Sequence, residues 1–181
     1  MLGLISGLSL DLIENDVDGQ PWDFNIKEKR DKARRMIIEK KALLVIGSPM
    51  CSAFSQLQSI NFSRMNKDDI AKIVEYGTRH LEFCAELYRI KHDNGLYFLH
   101  EHPYGASSWN NRKIMELLGI PGIQKVESHM CAFGMYDYDH QGGALVKKPT
   151  GFMTNAIKLA EQLHKECSGD HRHIVSLLSL I

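Results

Sequence analysis

Apolar side chains recur along the chain with two different periods. Helical spacing marks residues 26–41, 66–92, 109–118 and 155–167. Short apolar runs of strand length lie between them, at 42–46, 96–99, 123–127 and 144–152. Strands that alternate with helices predict an α/β fold with a largely parallel sheet.

Glycine, proline and polar caps set the expected element boundaries. Residues 66–69, Asn-Lys-Asp-Asp, are typical of a helix N-terminus, and Gly77 predicts a kink or a break in the helix that follows. Ser108 is the expected cap of the next helix, and Pro149 predicts a bend in the strand 144–152. Residues 168–173 indicate a polar turn before an apolar tail.

Composition narrows the class of protein. The 181 residues suffice for one domain, 1–181, and 44% hydrophobic with 24% charged residues is ordinary for a globular chain. Equal numbers of basic and acidic residues, 22 each, exclude a global field that attracts polyanions. Four widely spaced cysteines favour reduced thiols in the cytoplasm, and the sequence contains neither a signal peptide nor a membrane span.

Two of the predicted strands end in reactive groups. The run 42–46 leads through Gly-Ser-Pro to Cys51, and the run 96–99 leads to Glu101 between His100 and His102. Adjacent parallel strands lie about 4.8 Å apart, so we expect Cys51 and Glu101 to face one crevice. A buried, inert thiol at a strand end is the alternative for Cys51.

An acidic turn precedes the first helix. Residues 16–24 combine carboxylates with Trp22 and are punctuated by Gly19 and Pro21. One interpretation is a surface turn with the indole folded over the core. The other is a pocket in which the carboxylates accept hydrogen bonds from a ligand.

Four motifs carry a resemblance to a known family. They are WDF at 22–24, SPMCxAFSxLQ at 48–58, FLHEHPxxASSW at 98–109 and KKPTGFMTN at 147–155. Together they resemble the cytosine-5 DNA methyltransferases, and more narrowly a methyltransferase-like group of mobile elements and phages, over residues 16–173. The resemblance implies a Rossmann-like class I methyltransferase fold, α/β, with a mostly parallel sheet flanked by helices.

The resemblance also implies a reaction, with DNA as partner and S-adenosyl-L-methionine as methyl donor. The Cys51 thiolate adds to carbon 6 of cytosine, and protonated Glu101 hydrogen-bonds the ring nitrogen. The cofactor-binding residues are then Asp18, Trp22, Asp23, Phe24, Ser48 and Pro49. The substrate-binding residues are Ser55, Gln56, Gln58, His100, His102, Lys148 and Thr150. His100 and His102, if charged, lower the pKa of the thiol.

The family's glycine-rich cofactor loop has no counterpart upstream of residue 16, where only Gly3 and Gly7 occur. We therefore expect the methyltransferase domain to be incomplete at its N-terminus. The target site, the choice between DNA and RNA, and the oligomeric state stay open.

Two alternative functions remain from the sequence. Cys131, Cys167, His171 and His173, with His129 nearby, contain enough nitrogen and sulfur ligands for a small zinc-binding module, although no paired CxxC anchors it. We assign no metal ligand in the methyltransferase interpretation. The other alternative is a catalytically inactive domain that binds nucleic acid or protein, with Lys147 and Lys148 as candidate phosphate contacts.

Overall fold

The structure is a computed structural model that describes residues 7–55, 58 and 61–174. The helices are α1 (Lys27–Lys40), α2 (Lys67–Asp93), α3 (Arg112–Leu118) and α4 (Ile157–Leu163). The strands are β1 (Leu44–Gly47), β2 (Tyr97–Pro103), β3 (Gln124–His129), β4 (Tyr136–Asp139), β5 (Gly142–Val146), β6 (Pro149–Thr154) and β7 (His173–Ile174). Short 3₁₀ turns cover Ser107–Asn110 and Met130–Phe133. Most of the predicted apolar tail, 175–181, lies outside the described residues.

The strands form two sheets that differ from the predicted one. The larger sheet has the order β1-β2-β6-β3, and the smaller has the order β4-β5-β7. Among the strand pairs of the described residues, β1·β2 and β5·β7 are parallel, whereas β2·β6, β3·β6 and β4·β5 are antiparallel. The prediction of a Rossmann-like, mostly parallel sheet is therefore wrong.

The physical reason is the route of the chain after β3. A helix follows β1 and another follows β2, so β1, β2 and β3 run in one direction, as their alternation with helices predicted. The chain then turns back through the hairpin β4-β5, and β6 enters between β2 and β3 in the opposite direction. Hydrophobic periodicity identifies strands but does not reveal their direction.

Helix α2 is continuous through Gly77, so the alternative of a break at this glycine is wrong. Asn66 caps the helix by accepting a hydrogen bond from the Asp69 backbone N–H. A Cβ atom on Gly77 would lie 2.6 Å from the Cβ of Ala53. The glycine therefore serves the close packing of α2 against the loop that contains Cys51.

The main core lies between α2 and the larger sheet. The Tyr88 ring stacks on Phe98 with centroids 4.9 Å apart, and Trp109, Ile114 and Met153 complete the buried cluster. A second cluster joins α1 to the other side of α2. No helix within the described residues is both long and apolar enough to cross a membrane.

Smaller differences from the predicted elements have local causes. The expected bent strand 144–152 is two strands, β5 and β6, because the chain passes from one sheet to the other at 147–148. Asn111, not Ser108, caps α3, since its side chain accepts from the Lys113 N–H. Strands β4 and β7 were not predicted, and both are short edge strands of the smaller sheet.

We expect Gly47→Ala to destabilise the protein by about 1–3 kcal/mol, because a Cβ there would lie 2.0 Å from the Tyr88 hydroxyl oxygen. Urea unfolding followed by circular dichroism measures the change. Gly119→Ala is the matched control, since its Cβ would meet nothing closer than 3.5 Å. A Gly47→Ala variant as stable as the control would contradict this close approach.

Candidate functional site

Cys51 and Glu101 line one open cleft of about 480 Å³. Strands β1 and β2 are adjacent and parallel, with Gly47 opposite His100, so the residues after β1 run alongside the end of β2. The expectation that both groups face one crevice is confirmed. The complete lining is Ser48, Pro49, Met50, Cys51, Ser52, Glu101, His102, Pro103 and Lys148.

The loop that contains Cys51 is held in place by Phe54, three residues after the thiol. The Phe54 N–H donates to the Cys51 carbonyl at 2.9 Å, which closes a turn. The Phe54 carbonyl in turn accepts from the Ser107 N–H at 3.0 Å, and the Phe54 ring meets the His102 ring edge-on. Cys51 is half-buried in this turn, and it is one of four free cysteines. A fixed, accessible thiol suits nucleophilic chemistry better than the inert alternative.

His100 and His102 lie on the face of β2 that is packed against α2 and Trp109, whereas Glu101 lies on the opposite face. His100 Nδ1 is 3.1 Å from the Tyr88 hydroxyl, and His102 Nδ1 is 2.7 Å from the Ser108 hydroxyl. Burial lowers the pKa of His100 to about 3 and that of His102 to about 4. Both rings are therefore neutral near pH 7, and the prediction that they lower the thiol pKa as cations is wrong.

The positive charge at the cleft comes from Lys148. Its Nζ lies 3.9 Å from a carboxylate oxygen of Glu101. Thr150, predicted as a substrate contact, is fully buried, and its hydroxyl donates to the Lys148 carbonyl at 3.3 Å. Thr150 therefore supports the backbone that carries Lys148 and does not line the cleft.

The acidic turn is tied to α1. Lys29 is buried and lies 2.9 Å from Asp16 Oδ2 and 2.8 Å from both oxygens of Asp18. Lys32 bonds the other oxygen of Asp16 and, with Lys29, lowers the pKa of Asp16 to about 2. Trp22 is only 5% exposed, under both ammonium groups.

The remaining residues of this turn also have partners within the fold. Phe24 packs on Phe83, and Asp23 bonds the backbone and side chain of Asn25. These contacts favour the interpretation as a turn that packs on the core. Cofactor binding by Asp18, Trp22, Asp23 and Phe24 stays a prediction.

Two predicted substrate contacts, Ser55 and Gln58, are not among the described residues that line the cleft. The Ser55 hydroxyl accepts from the backbone N–H of Gln58 at 3.2 Å, and the Gln58 amide oxygen accepts from Asn61 at 3.2 Å. Gln56 lies outside the described residues. The cleft does contain Met50, Ser52 and Pro103, which the sequence analysis did not select although each adjoins a selected residue.

A second cluster forms where the two sheets meet. One ligand atom each from Cys131, Cys167, His171 and His173 lie within 4.8 Å of one another. Cys167 Sγ is 3.6 Å from His171 Nε2 and 3.2 Å from His173 Nε2. His129, the fifth residue that the sequence placed nearby, uses its Nδ1 to accept from the Cys167 N–H at 2.9 Å. These are nitrogen and sulfur donors of the kind that zinc prefers.

Comparisons with known proteins do not identify a relative of this chain. Neither the protein-family models, nor the curated proteins, nor the solved structures contain a match to this chain. The function therefore has to be argued from the geometry and from the motifs.

We expect the free energy of unfolding to fall as the pH is lowered below about 6.5. The unfolded chain then protonates its histidines, whereas His100 and His102 stay neutral in the folded protein until their pKa values of about 3 and 4 are reached. Each histidine contributes a slope of up to about 1.4 kcal/mol per pH unit in this window. Urea unfolding between pH 7 and 5 measures the slope.

Single variants separate these two histidines from the others. His100→Gln and His102→Gln should each reduce the slope, because they remove a group that only the unfolded state protonates. The exposed His140→Gln should leave the slope unchanged. Equal slopes in all three variants would rule out the buried pair as the origin. Working above pH 5 avoids the range in which Asp16, with its lowered pKa, contributes.

Proposed function

We propose that the cleft is a covalent active site that methylates cytosine in DNA at carbon 5, with S-adenosyl-L-methionine as methyl donor. One observation carries the proposal: the thiol of Cys51, the carboxyl group of Glu101 and the ammonium group of Lys148 line the same cleft. The motifs that surround Cys51 and Glu101 are also those that resemble the cytosine-5 methyltransferases.

The chemistry follows from the electrophilic character of the pyrimidine ring. A new bond forms between Cys51 Sγ and carbon 6, and the ring electrons move to carbon 5. Carbon 5 accepts the methyl group from the sulfonium of the donor. The carbon 5 proton then passes to water and the Sγ–carbon 6 bond breaks, which gives 5-methylcytosine and the free thiolate, and the donor leaves as S-adenosyl-L-homocysteine.

The two charged side chains have separate roles in this proposal. Glu101, which faces Lys148 in the free protein, takes up a proton when the base binds, donates to the ring nitrogen and stabilises the charge that develops when the thiolate adds. Lys148, at the same cleft, provides a cation for the DNA backbone. Because the chain has zero formal charge, such local cations must supply the attraction for a polyanion.

The cleft has to receive a single base. A volume of about 480 Å³ lies within the range of about 300–1,000 Å³ that is usual for ligand pockets. A cytosine in a duplex reaches such a pocket only by leaving the base stack, which costs a few kcal/mol. The loop at Cys51 is already held in place beside the thiol. Entry of the base therefore carries a smaller entropic cost of ordering this loop.

The methyl donor needs a binding surface of its own. Because Trp22 is buried and both oxygens of Asp18 bond Lys29, binding of an adenosine group at the acidic turn would require these contacts to open. Ser48 and Pro49 line the cleft beside Cys51 and remain candidate contacts. Dependence of the reaction on added donor is therefore part of the test.

We expect the protein to become covalently linked to a DNA duplex that contains 5-fluorocytosine, in the presence of S-adenosyl-L-methionine. Fluorine at carbon 5 cannot leave as a proton, so the Cys51 adduct persists after methyl transfer. Denaturing gel electrophoresis detects the adduct, and mass spectrometry locates it at Cys51 with one added methyl group. A pool of duplexes with random flanking bases covers the unknown target site.

The controls isolate the thiol and the donor. Cys51→Ser should abolish the adduct, whereas Cys84→Ala should retain it, because Cys84 is a free cysteine buried inside α2. Omission of the donor should also abolish the adduct. The proposal fails if no duplex in the pool gives an adduct that depends on both Cys51 and the donor.

We expect Glu101→Gln to slow adduct formation by about 10²-fold or more, since an amide can hydrogen-bond the ring nitrogen but cannot transfer a proton. Quenched time courses of the adduct band give the rate. Glu116→Gln, on the exposed face of α3, serves as the matched control and should react at the unmodified rate. Equal rates for both variants would remove Glu101 from the reaction.

A further inference from the structure

We propose that Cys131, Cys167, His171 and His173 bind one Zn²⁺ ion, and that this ion is structural and joins the smaller sheet to the larger one. The inference is independent of the proposed methyl transfer. It rests on the positions of the ligand atoms, on the groups that orient them and on the segments that they connect.

The distances between ligand atoms fit a tetrahedral ion. Zn–S bonds of about 2.3 Å and Zn–N bonds of about 2.0–2.1 Å place sulfur and nitrogen ligands about 3.6 Å apart. Cys167 Sγ lies 3.6 Å from His171 Nε2 and 3.2 Å from His173 Nε2, and all four ligand atoms lie within 4.8 Å of one another. The cluster is thus close to the required size without rearrangement of the backbone.

Hydrogen bonding alone accounts for this convergence poorly. A single thiol hydrogen on Cys167 can reach only one of the two imidazole nitrogens that face its sulfur. A second thiol, that of Cys131, lies within the same cluster. One cation bound to both sulfurs and both nitrogens gives every one of these atoms a partner.

Neighbouring groups orient the ligands as metal sites require. Asp170 Oδ1 lies 2.9 Å from His171 Nδ1, which leaves the Nε2 atom of His171 directed at the cluster. A carboxylate on the far nitrogen of a histidine is the usual second contact in zinc sites. The Gly169 N–H donates to Cys167 Sγ at 3.3 Å, which stabilises a thiolate. Gly169 has a φ of +80°, which is readily adopted only without a side chain.

The four ligands come from two segments of the chain, one with Cys131 and the other spanning residues 167–173. Cys131 lies in the 3₁₀ turn directly after β3 of the larger sheet, Cys167 follows α4, and His173 begins β7 of the smaller sheet. The smaller sheet has little core of its own, since its buried cluster consists of Ala144, Val146 and Ile174. A metal ion compensates for so small a core, because its binding free energy contributes directly to folding.

The ligand set selects the metal and its role. Two sulfurs and two imidazoles in tetrahedral reach favour Zn²⁺ over the oxygen-preferring Mg²⁺ and Ca²⁺. Four protein ligands also fill the coordination sphere, so that no position is left for a substrate or a reactive water. The site is therefore structural, and it is separate from the cleft at Cys51.

Co²⁺ titration of the full chain, stripped of metal and kept reduced, tests the proposal. Co²⁺ replaces Zn²⁺ in tetrahedral sites and is visible there through its d–d bands and its sulfur-to-metal charge-transfer band. We expect both bands to saturate at one equivalent of Co²⁺ and to disappear when one equivalent of Zn²⁺ is added. Elemental analysis of protein purified without chelator should give one zinc per chain.

Variants keep the test independent of folding failures. His171→Ala should lose most of the affinity for Co²⁺, and Asp170→Asn should lower it about 10–100-fold while it keeps the spectrum. The exposed His140→Ala should bind as the unmodified protein does. The proposal is overturned if the unmodified chain shows no tetrahedral Co²⁺ spectrum, or if Cys131 and Cys167 are recovered as a disulfide from protein purified under reducing conditions.

Discussion

The contact between helix α2 and strand β1 constrains the end of the sheet at which the cleft lies. The Tyr88 hydroxyl occupies the place where a side chain at Gly47 would begin, so this tyrosine of the helix packs directly against the backbone of the strand. The same hydroxyl contacts His100 on β2, and thus one side chain spans both parallel strands. A second glycine, Gly77 on helix α2, leaves room for Ala53 of the loop that contains Cys51. The position of the thiol relative to Glu101 follows from these two close contacts.

Strand β2 separates two chemical environments. Its inner face carries His100 and His102 among aromatic rings, where burial keeps both imidazoles neutral. The charges at the cleft come from Glu101 on β2 and from Lys148. Lys148 lies in the connection between β5 and β6, where the chain passes from one sheet to the other. At the end of this strand, His100 and His102 are thus buried in the core, whereas the carboxyl group of Glu101 is available to a ligand.

The hydrophobic periodicity of the sequence was sufficient to predict α1, α2 and the first two strands. It also predicted that Cys51 and Glu101 lie close together, because consecutive parallel strands are usually neighbours. It failed for β6, since strand direction depends on how the chain returns and not on the residues of the strand. The acidic turn was ambiguous for a similar reason. Only the fold shows that Lys29 lies against Asp16 and Asp18. The compact spacing of Cys167, His171 and His173 was visible in the sequence, whereas the approach of Cys131 from another segment required the tertiary structure.

The insertion of β6 between β2 and β3 also bears on how the chain is synthesised. Residues 97–103 and 124–129 leave the ribosome well before residues 149–154, which must pair with both of them. During that interval the edges of β2 and β3 that β6 will cover carry unpaired backbone groups, which are prone to association with other chains. The larger sheet is therefore completed late in translation. Rapid pairing of β6, or binding of a chaperone, protects the unpaired edges of β2 and β3 until then.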